Sequence, residues 1–201
     1  IEPARSWLES PTLAQYIDPN HYTITIGGER LYNNTYVNGW VFEDPSHRPS
    51  YILRNTFTPD KNMLWSVPQI RDYAGRQLRR SKVLDDLLSQ TITDNATDAT
   101  ISAFGSKLLT TLSIKNIIST LSLTQKGLVV KAQLSDASHM ISLYTNPAAL
   151  PKAYIATSTI PVKTIEEAVK VFESDAFVPG DTALIEEGEG SKITGGSKRR
   201  T

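Results

Sequence analysis

The sequence predicts an α/β protein with a mixed sheet and flanking helices, an α+β arrangement being the alternative. Two patterns in the second half support this: apolar residues alternate from Leu128 to Leu134, and an amphipathic helix follows Thr164. The composition, with 39% hydrophobic and 21% charged residues, is typical of a globular protein. A chain of 201 residues is also long enough to bury a core.

The first elements are a short helix and a strand. Ser10 is predicted as the N-cap of the helix, because serine accepts a hydrogen bond from a free amide and Pro11 suits the first helical position. The segment Tyr22–Ile26 alternates with period two, which indicates a half-buried strand. Gly27 and Gly28 then predict the turn of a hairpin.

The rest of the first half is predicted to be rich in loops. Prolines and scattered aromatic residues between Asn33 and Pro68 indicate long loops, with a short strand at Tyr51–Arg54. Ser81–Leu88 carries apolar residues at helical spacing and predicts a helix. The polar segment Thr91–Thr100 is predicted to be a loop and the best internal boundary.

The second half carries sharper signals for regular structure. Thr164 and Glu167 form a capping box, in which each side chain bonds to a free amide of the first helical turn. Ser106 is predicted as the N-cap of an earlier helix that carries Leu108 and Leu109. The predicted strands are Ile114–Leu121, Leu128–Leu134, His139–Tyr144, Ala153–Ala156 and Thr182–Glu186.

These elements divide the chain into three parts. Residues 1–90 form a loop-rich α/β part, residues 101–187 form a compact α/β part, and residues 188–201 form a flexible tail or linker. Within the compact part, Asn146 to Pro151 is predicted to connect two strands rigidly, because its two prolines fix φ. Leu150 is expected to fill the core, and this structural role is preferred to a ligand site.

Composition excludes several classes of function. The formal net charge is zero, with 21 basic and 21 acidic residues, which removes the electrostatic argument for binding nucleic acid. The absence of cysteine excludes disulfides, thiolate metal sites and cysteine nucleophiles.

No apolar stretch approaches the roughly 18 residues of a membrane span, and no signal peptide opens the chain. Because residue 1 is Ile1, a fragment of a longer protein is the simplest expectation.

No catalytic or cofactor site is predicted. The histidines His21, His47 and His139 stand alone in the sequence, without a second histidine or a carboxylate at ligand spacing, so no metal site is expected. There is no Gly-x-Ser-x-Gly nucleophile elbow either. No catalytic residue and no cofactor are therefore assigned.

The candidate binding residues belong to one basic cluster between Ile70 and Val83. Arginines grouped before a helix suit a phosphate or an anionic lipid headgroup. The alternative is a solvated helix face, balanced in part by Asp72, Asp85 and Asp86. The proposed anion-facing residues are Arg76, Arg79, Arg80 and Lys82.

Two segments of the second half resemble the YfhO-type bacterial membrane proteins. Leu108–Ile118 is similar to that family's leucine pair followed by a short strand. Ile141–Tyr154 resembles the family's Val-x-x-Tyr-x-Asn-x-x-Ala-Leu-Pro-Arg-Ala segment, with Lys152 in place of the arginine. Two weaker similarities lie upstream: Trp7–Pro11 with Tyr22–Ile24, and Asn62–Tyr73, where Asp72 replaces an expected glycine.

The resemblance implies a multi-pass membrane parent similar to the GT-C glycosyltransferases, which use lipid-linked sugars outside the cell. This chain would be a soluble extracytoplasmic region at the cell membrane, and its partners would be the parent's transmembrane helices and a lipid-linked sugar or anionic lipid headgroup. The family's catalytic carboxylate lies in a loop absent here, so the chain is expected to be a non-catalytic or acceptor-positioning part. The alternative is a secreted or surface module that binds glycan through aromatic loops. A self-standing enzyme is the third hypothesis.

Overall fold

A computed structural model describes residues 9–32, 54–57, 62–70, 79–95, 97–135 and 140–186. It confirms the mixed α/β class, since helices accompany sheets that contain both parallel and antiparallel strands. The chain divides into two compact units, Ile1–Ala153 and Tyr154–Thr201. The predicted boundary at residues 91–100 lies inside the first unit, and the predicted tail at residues 188–201 lies outside the described residues.

The first unit contains seven described strands, three described α-helices and two described 3-10 helices. Its strands are β1 (Tyr22–Ile26), β2 (Ile92–Asp94), β3 (Asp98–Ile101), β4 (Ile114–Ser119), β5 (Ser122–Leu123), β6 (Val129–Ser135) and β7 (Met140–Thr145). Its α-helices are α1 (Gly28–Tyr32), α2 (Arg79–Gln90) and α3 (Ala103–Thr111), and its 3-10 helices are Thr12–Tyr16 and Asn62–Trp65. The helix predicted at Ser81–Leu88 is confirmed as part of α2.

Four strands form the main sheet, in the order β1-β4-β7-β6. The outer strand β1 lies parallel to β4, with Ile24 opposite Ile117, while β7 is antiparallel to both β4 and β6. A smaller sheet has the order β2-β3-β5. Because β1 joins β4, the loop-rich first part and the compact second part contribute to the same sheet.

One face of the main sheet covers a hydrophobic cluster. Its buried members are Leu13, Ile17, Leu31, Phe57, Val67, Ile118, Ile141 and Leu143. The ring of Trp65 meets that of Phe57 edge to face, at 6.3 Å between centroids. Burying one Leu, Ile or Phe side chain of this kind contributes about 1.5–3 kcal/mol. The cluster therefore holds the 3-10 helix Thr12–Tyr16 against the sheet.

The hairpin predicted at the glycine pair is wrong, because the chain enters helix α1 instead. Gly27 has φ +76°, and its carbonyl accepts a hydrogen bond from the amide of Leu31 at 3.1 Å. That turn places Leu31 in the core, and strand β1 finds its partner in β4 instead of in a neighbouring strand. The predicted Ser10 cap is also wrong: a 3-10 helix follows Pro11, whose carbonyl accepts from Ala14 at 3.0 Å.

The predicted polar loop at Thr91–Thr100 is wrong, because it contains strands β2 and β3. They pair antiparallel with Ile92 opposite Ile101, and Ile101 is buried. Asn95 closes the hairpin, since its Oδ1 accepts from the amides of Thr97 and Asp98 at 3.1 Å each. An Asx turn of this kind satisfies the backbone locally.

The helix caps were predicted with mixed success. The N-cap of α3 is Ser102, whose Oγ accepts from the amide of Gly105 at 3.0 Å, so the prediction of Ser106 is wrong. The Thr164 cap is confirmed, with its Oγ1 accepting from the amide of Glu167 at 3.2 Å. The Glu167 carboxylate reaches back to the amide of Lys163 at 2.7 Å, one residue before the cap.

The second unit is a β-α-β arrangement. Its elements are β8 (Ser158–Val162), α4 (Ile165–Glu173) and β9 (Thr182–Glu186), and β8 lies parallel to β9. The prediction of β9 is confirmed, as are those of β4, β6 and β7 in the first unit. The strand predicted at Ala153–Ala156 is wrong, because regular pairing begins only at Ser158. Ile155 is 92% exposed, so no buried face stabilises a strand there.

The connection after β7 is bonded to the start of β4. The amide of Asn146 donates to the carbonyl of Lys115 at 2.8 Å, and its Nδ2 donates to the carbonyl of Ile114 at 3.3 Å. These bonds agree with a structural role for Asn146, which is buried. Leu150 is half-buried and does not fill the core as expected. The predicted strand Tyr51–Arg54 lies outside the described residues except for Arg54, which is helical.

Candidate functional site

The predicted basic cluster coincides with the start of helix α2. Arg79 and Arg80 are the first two residues of this helix, and Lys82 is its fourth. The first turn contains no acidic residue. Arg76 lies outside the described residues, and Arg79 and Arg80 are described by their backbone alone. Three basic residues therefore share the end of a helix at which the backbone dipole is positive.

Lys82 is the one member of this cluster whose side chain is described. It is 65% exposed, and its Nζ lies 3.3 Å from both carboxylate oxygens of Asp86, one helical turn away. An exposed pair at this spacing contributes about 0.3–0.5 kcal/mol. A bound anion can therefore compete for Lys82 at little cost.

A second polar cluster surrounds Asp18, in the loop between the first 3-10 helix and β1. Its Oδ2 accepts from Lys115 Nζ at 2.9 Å and lies 3.1 Å from His21 Nδ1. Its Oδ1 accepts from the amide of Asn20 at 3.0 Å. The prediction that His21 has no carboxylate partner is wrong, while His47 and His139 lie outside the described residues.

Asn116 attaches the backbone of this loop to β4. Its Oδ1 accepts from the amide of Asp18 at 3.0 Å, and its Nδ2 donates to the Asp18 carbonyl, also at 3.0 Å. Asn116 is only 2% exposed, so its amide group must have partners within the protein. The paired bonds fix the loop conformation before β1 begins.

The surroundings of Asp18 favour its ionised form. The hydrogen bond from Lys115 is the main cause that lowers the pKa of Asp18 from 3.8 to about 2. Burial opposes this change, and the Asn20 amide and the positive charge of Lys115 support it. Asp18 is therefore a carboxylate at neutral pH.

Lys152 lies beside the same loop. Its Nζ donates to the Pro19 carbonyl at 3.3 Å and lies 4.7 Å from the centre of the Tyr22 ring. This contact is a cation–π interaction. Lys152 thus ties the end of the β7 connection to the start of β1.

The chemistry available to the Asp18 cluster is limited. An aspartate bonded to a histidine can orient an imidazole for acid–base work. Here the same oxygen also binds Lys115, and the other oxygen is occupied by the Asn20 amide. No group of three His, Asp or Glu residues able to hold a metal occurs in the described part of the chain. The cluster is best explained as the attachment of the loop to β4.

No family model matches this chain. No curated protein and no solved structure shows significant similarity either. Within the described ranges, no helix combines the length and the hydrophobicity needed to cross a membrane.

Proposed function

We propose that this chain is a soluble extracytoplasmic domain of a multi-pass membrane protein that takes part in cell-envelope glycan or lipid-linked sugar transfer. It acts there as a non-catalytic part that positions a lipid-linked acceptor. The residues proposed to bind the anion are Arg76, Arg79, Arg80 and Lys82, and the shared ligand chemistry is the phosphate ester of a membrane lipid.

The observation that carries the proposal is the basic first turn of α2. Amides at a helix N-terminus attract anions, and a cation placed there is unfavourable by about 0.3–1 kcal/mol. Arg79, Arg80 and Lys82 occupy three of the first four positions. The helix dipole repels basic residues at this end of the helix. A negatively charged ligand would offset this repulsion, because both the basic side chains and the dipole attract it.

Two further observations support a non-catalytic role. The segment most similar to the YfhO-type family begins in β7 and continues through Asn146, which bonds to the backbone of β4. The charged cluster at Asp18 is occupied by its own lysine and amide partners. Both features therefore stabilise the fold. The basic first turn of α2 remains as the candidate binding site.

The test measures binding of Arg79→Gln/Arg80→Gln to vesicles by flotation. One set of vesicles contains phosphatidylglycerol, a second contains a polyprenyl phosphate, and a third contains phosphatidylcholine alone. Each basic residue near an anionic surface contributes about 1 kcal/mol, so the double variant should bind about 25-fold more weakly to the charged vesicles. The matched control is Lys163→Gln/Lys170→Gln, which removes two exposed charges elsewhere.

The outcomes distinguish the lipid sources. Tighter binding to the polyprenyl phosphate supports acceptor positioning, whereas equal binding to both charged vesicles indicates a general anionic surface. Unchanged binding of the Arg79/Arg80 variant would contradict the proposal. An equal loss of vesicle binding in the Lys163/Lys170 control would also contradict the proposal.

The alternative function is a secreted or surface module that recognises glycan through aromatic rings. Sugar stacking requires an open ring face, and Trp65 is half-buried with its ring against Phe57. Among the described aromatic residues, this contact favours a core role for Trp65. Binding to a glycan array with no affinity for charged vesicles would favour the alternative.

A further inference from the structure

The connection between β2 and β3 carries the sequence Asn95-Ala96-Thr97. It matches the acceptor pattern for N-linked glycosylation, an asparagine followed two positions later by serine or threonine, with a residue other than proline between them. We infer that Asn95 is an acceptor site for an oligosaccharide transferred from a lipid carrier. This inference rests on the extracytoplasmic location in the proposed function, and it concerns a different part of the chain from the start of α2.

The exposure of Asn95 and Thr97 separates this match from a chance occurrence of the pattern. Both residues lie at the surface. Other described asparagines, namely Asn55, Asn116 and Asn146, are buried and bonded within the fold. An attached glycan is bulky and hydrophilic, so its acceptor has to lie where the folded chain leaves room in solvent. Asn95 meets this requirement at the tip of a short hairpin.

The turn at the tip holds the carboxamide of Asn95 by its oxygen. Asn95 Oδ1 accepts hydrogen bonds from the amides of Thr97 and Asp98, at 3.1 Å each. Its Nδ2 has no hydrogen-bond partner among the described residues. Because the glycan is attached through this nitrogen, both bonds to Oδ1 can persist after the transfer. The Asx turn is therefore compatible with the modified and the unmodified side chain.

The backbone of the tip is bonded to the rest of the fold. The amide of Asn95 donates to the carbonyl of Asp98 at 3.0 Å, and Arg30 Nη1 donates to the carbonyl of Asn95 at 2.9 Å. The carbonyl of Thr97 accepts from the amide of Ser122 at 3.0 Å. The hydroxyl of Thr97, which the acceptor pattern requires, has no partner in the part of the chain that the structure describes. The groups that an acceptor must present are thus left at the surface.

The transfer is a substitution at the first carbon of the sugar. A bond forms between Asn95 Nδ2 and this carbon, while the bond from the carbon to the oxygen of the lipid diphosphate breaks. The lipid diphosphate leaves with the electron pair, and Nδ2 gives up one of its two protons. No oxidant or reductant takes part. The co-reactant is a lipid-linked oligosaccharide, and a separate transferase catalyses the reaction.

The experiment secretes the full chain from a eukaryotic host behind a cleavable signal peptide. All variants carry Asn33→Gln, because Asn33-Asn34-Thr35 also matches the pattern and lies outside the described residues. The secreted protein is treated with a peptide N-glycosidase in water enriched in heavy oxygen, which converts a glycosylated asparagine into a labelled aspartate. We expect mass spectrometry to find the label at Asn95. Asn20, which is exposed but is followed two positions later by Tyr22, should carry none.

Three substitutions distinguish the chemistry of the site from its structural role. Asn95→Asp keeps Oδ1 and the turn but lacks the nitrogen, so it should lose the glycan and unfold at the same urea concentration as the unglycosylated chain. Thr97→Val removes the hydroxyl while keeping the side-chain shape, and should also lose the glycan. Thr97→Ser restores the hydroxyl and should be glycosylated. The amide of residue 97 can still bond to Asn95 Oδ1 in both Thr97 variants.

Stability before and after removal of the glycan tests the geometry of the turn. Enzymatic removal leaves an aspartate at position 95, which keeps the oxygen that closes the turn. The glycosylated and the treated chain should therefore have the same urea midpoint. A lower midpoint for the glycosylated chain would show that the folded tip does not accommodate the glycan, and would overturn the inference.

The remaining outcomes separate this inference from the proposed function. Absence of a glycan at Asn95 in the secreted chain, or equal glycosylation of Thr97→Val, makes the inference wrong. The proposed function still stands in that case if Arg79→Gln/Arg80→Gln lowers vesicle binding. A chain that is glycosylated at Asn95 but binds no charged vesicle supports the inference and contradicts the proposed function alone.

Discussion

Replacing Asp18 with asparagine should destabilise the protein at neutral pH and have less effect in acid. The substitution keeps the size of the side chain and removes the charge that faces Lys115 Nζ at 2.9 Å. The pKa of Asp18 is lowered by folding, so its carboxylate stabilises the native state above the unfolded value of 3.8. That contribution is lost as the pH falls through 3.8 toward the folded value of about 2.

The magnitude follows from the two pKa values of Asp18. A change from 3.8 to about 2 corresponds to about 2 kcal/mol at pH 7 and about 1 kcal/mol at pH 3. The side chain is 23% exposed, and solvent screening reduces both figures. We therefore expect Asp18→Asn to lower the free energy of unfolding by about 1–2 kcal/mol at pH 7 and by about half as much at pH 3.

Urea unfolding at the two pH values, followed by tryptophan fluorescence, measures this difference. The control Asp175→Asn removes an exposed carboxylate and should change the free energy by less than about 0.5 kcal/mol at either pH. A double-mutant cycle with Lys115→Met should give a coupling energy of about 1 kcal/mol. Equal stability of Asp18→Asn and wild type at pH 7, or the same deficit at pH 3, would refute the argument.

Two further predictions concern residues with positive φ. Ser113 follows the C-cap residue of α3 with φ +58°, and its buried Oγ has no hydrogen-bond partner among the described residues, so Ser113→Gly should raise the free energy of unfolding by about 1 kcal/mol. A loss of stability in thermal unfolding would show that the hydroxyl is needed. Gly27→Ala should cost about 2–4 kcal/mol, since a Cβ there would lie 2.4 Å from Thr120 Oγ1 and the φ is +76°. Gly127 also has a positive φ, but a Cβ there would meet no atom of the described residues within 4 Å, so Gly127→Ala should cost only about 1–2 kcal/mol; equal costs would exclude the steric explanation.

Local patterns predicted the elements whose stability depends on near neighbours. The Thr164 cap and helix α4 need residues three or four positions apart, and the sequence displays that spacing directly. The strands β4, β6 and β7 follow from apolar periodicity. The helix predicted at Ser81–Leu88 also follows from periodicity, although it begins earlier, so that Arg79 and Arg80, expected before the helix, are its first two residues.

Other features depend on residues that are distant in the sequence. Alternation at β1 indicated a strand, but neither its parallel partner β4 nor helix α1 after Gly27 could be predicted from it. The short hairpin β2–β3 was missed because most of its residues are polar, as in a loop. The burial of Ile101, which stabilises the hairpin, depends on the tertiary structure.

The sequence by itself determined the α/β class, the Thr164-capped helix α4 and the composition that excludes cysteine chemistry. Only the tertiary structure brings Asp18 into contact with Lys115, 97 positions away, and Lys152 into contact with the ring of Tyr22. It also decided that Val129 and Val130 stay exposed at the end of the sheet. The physical reason is that helix caps and periodicity act over a few residues, whereas ion pairs and sheet edges depend on which strands become neighbours.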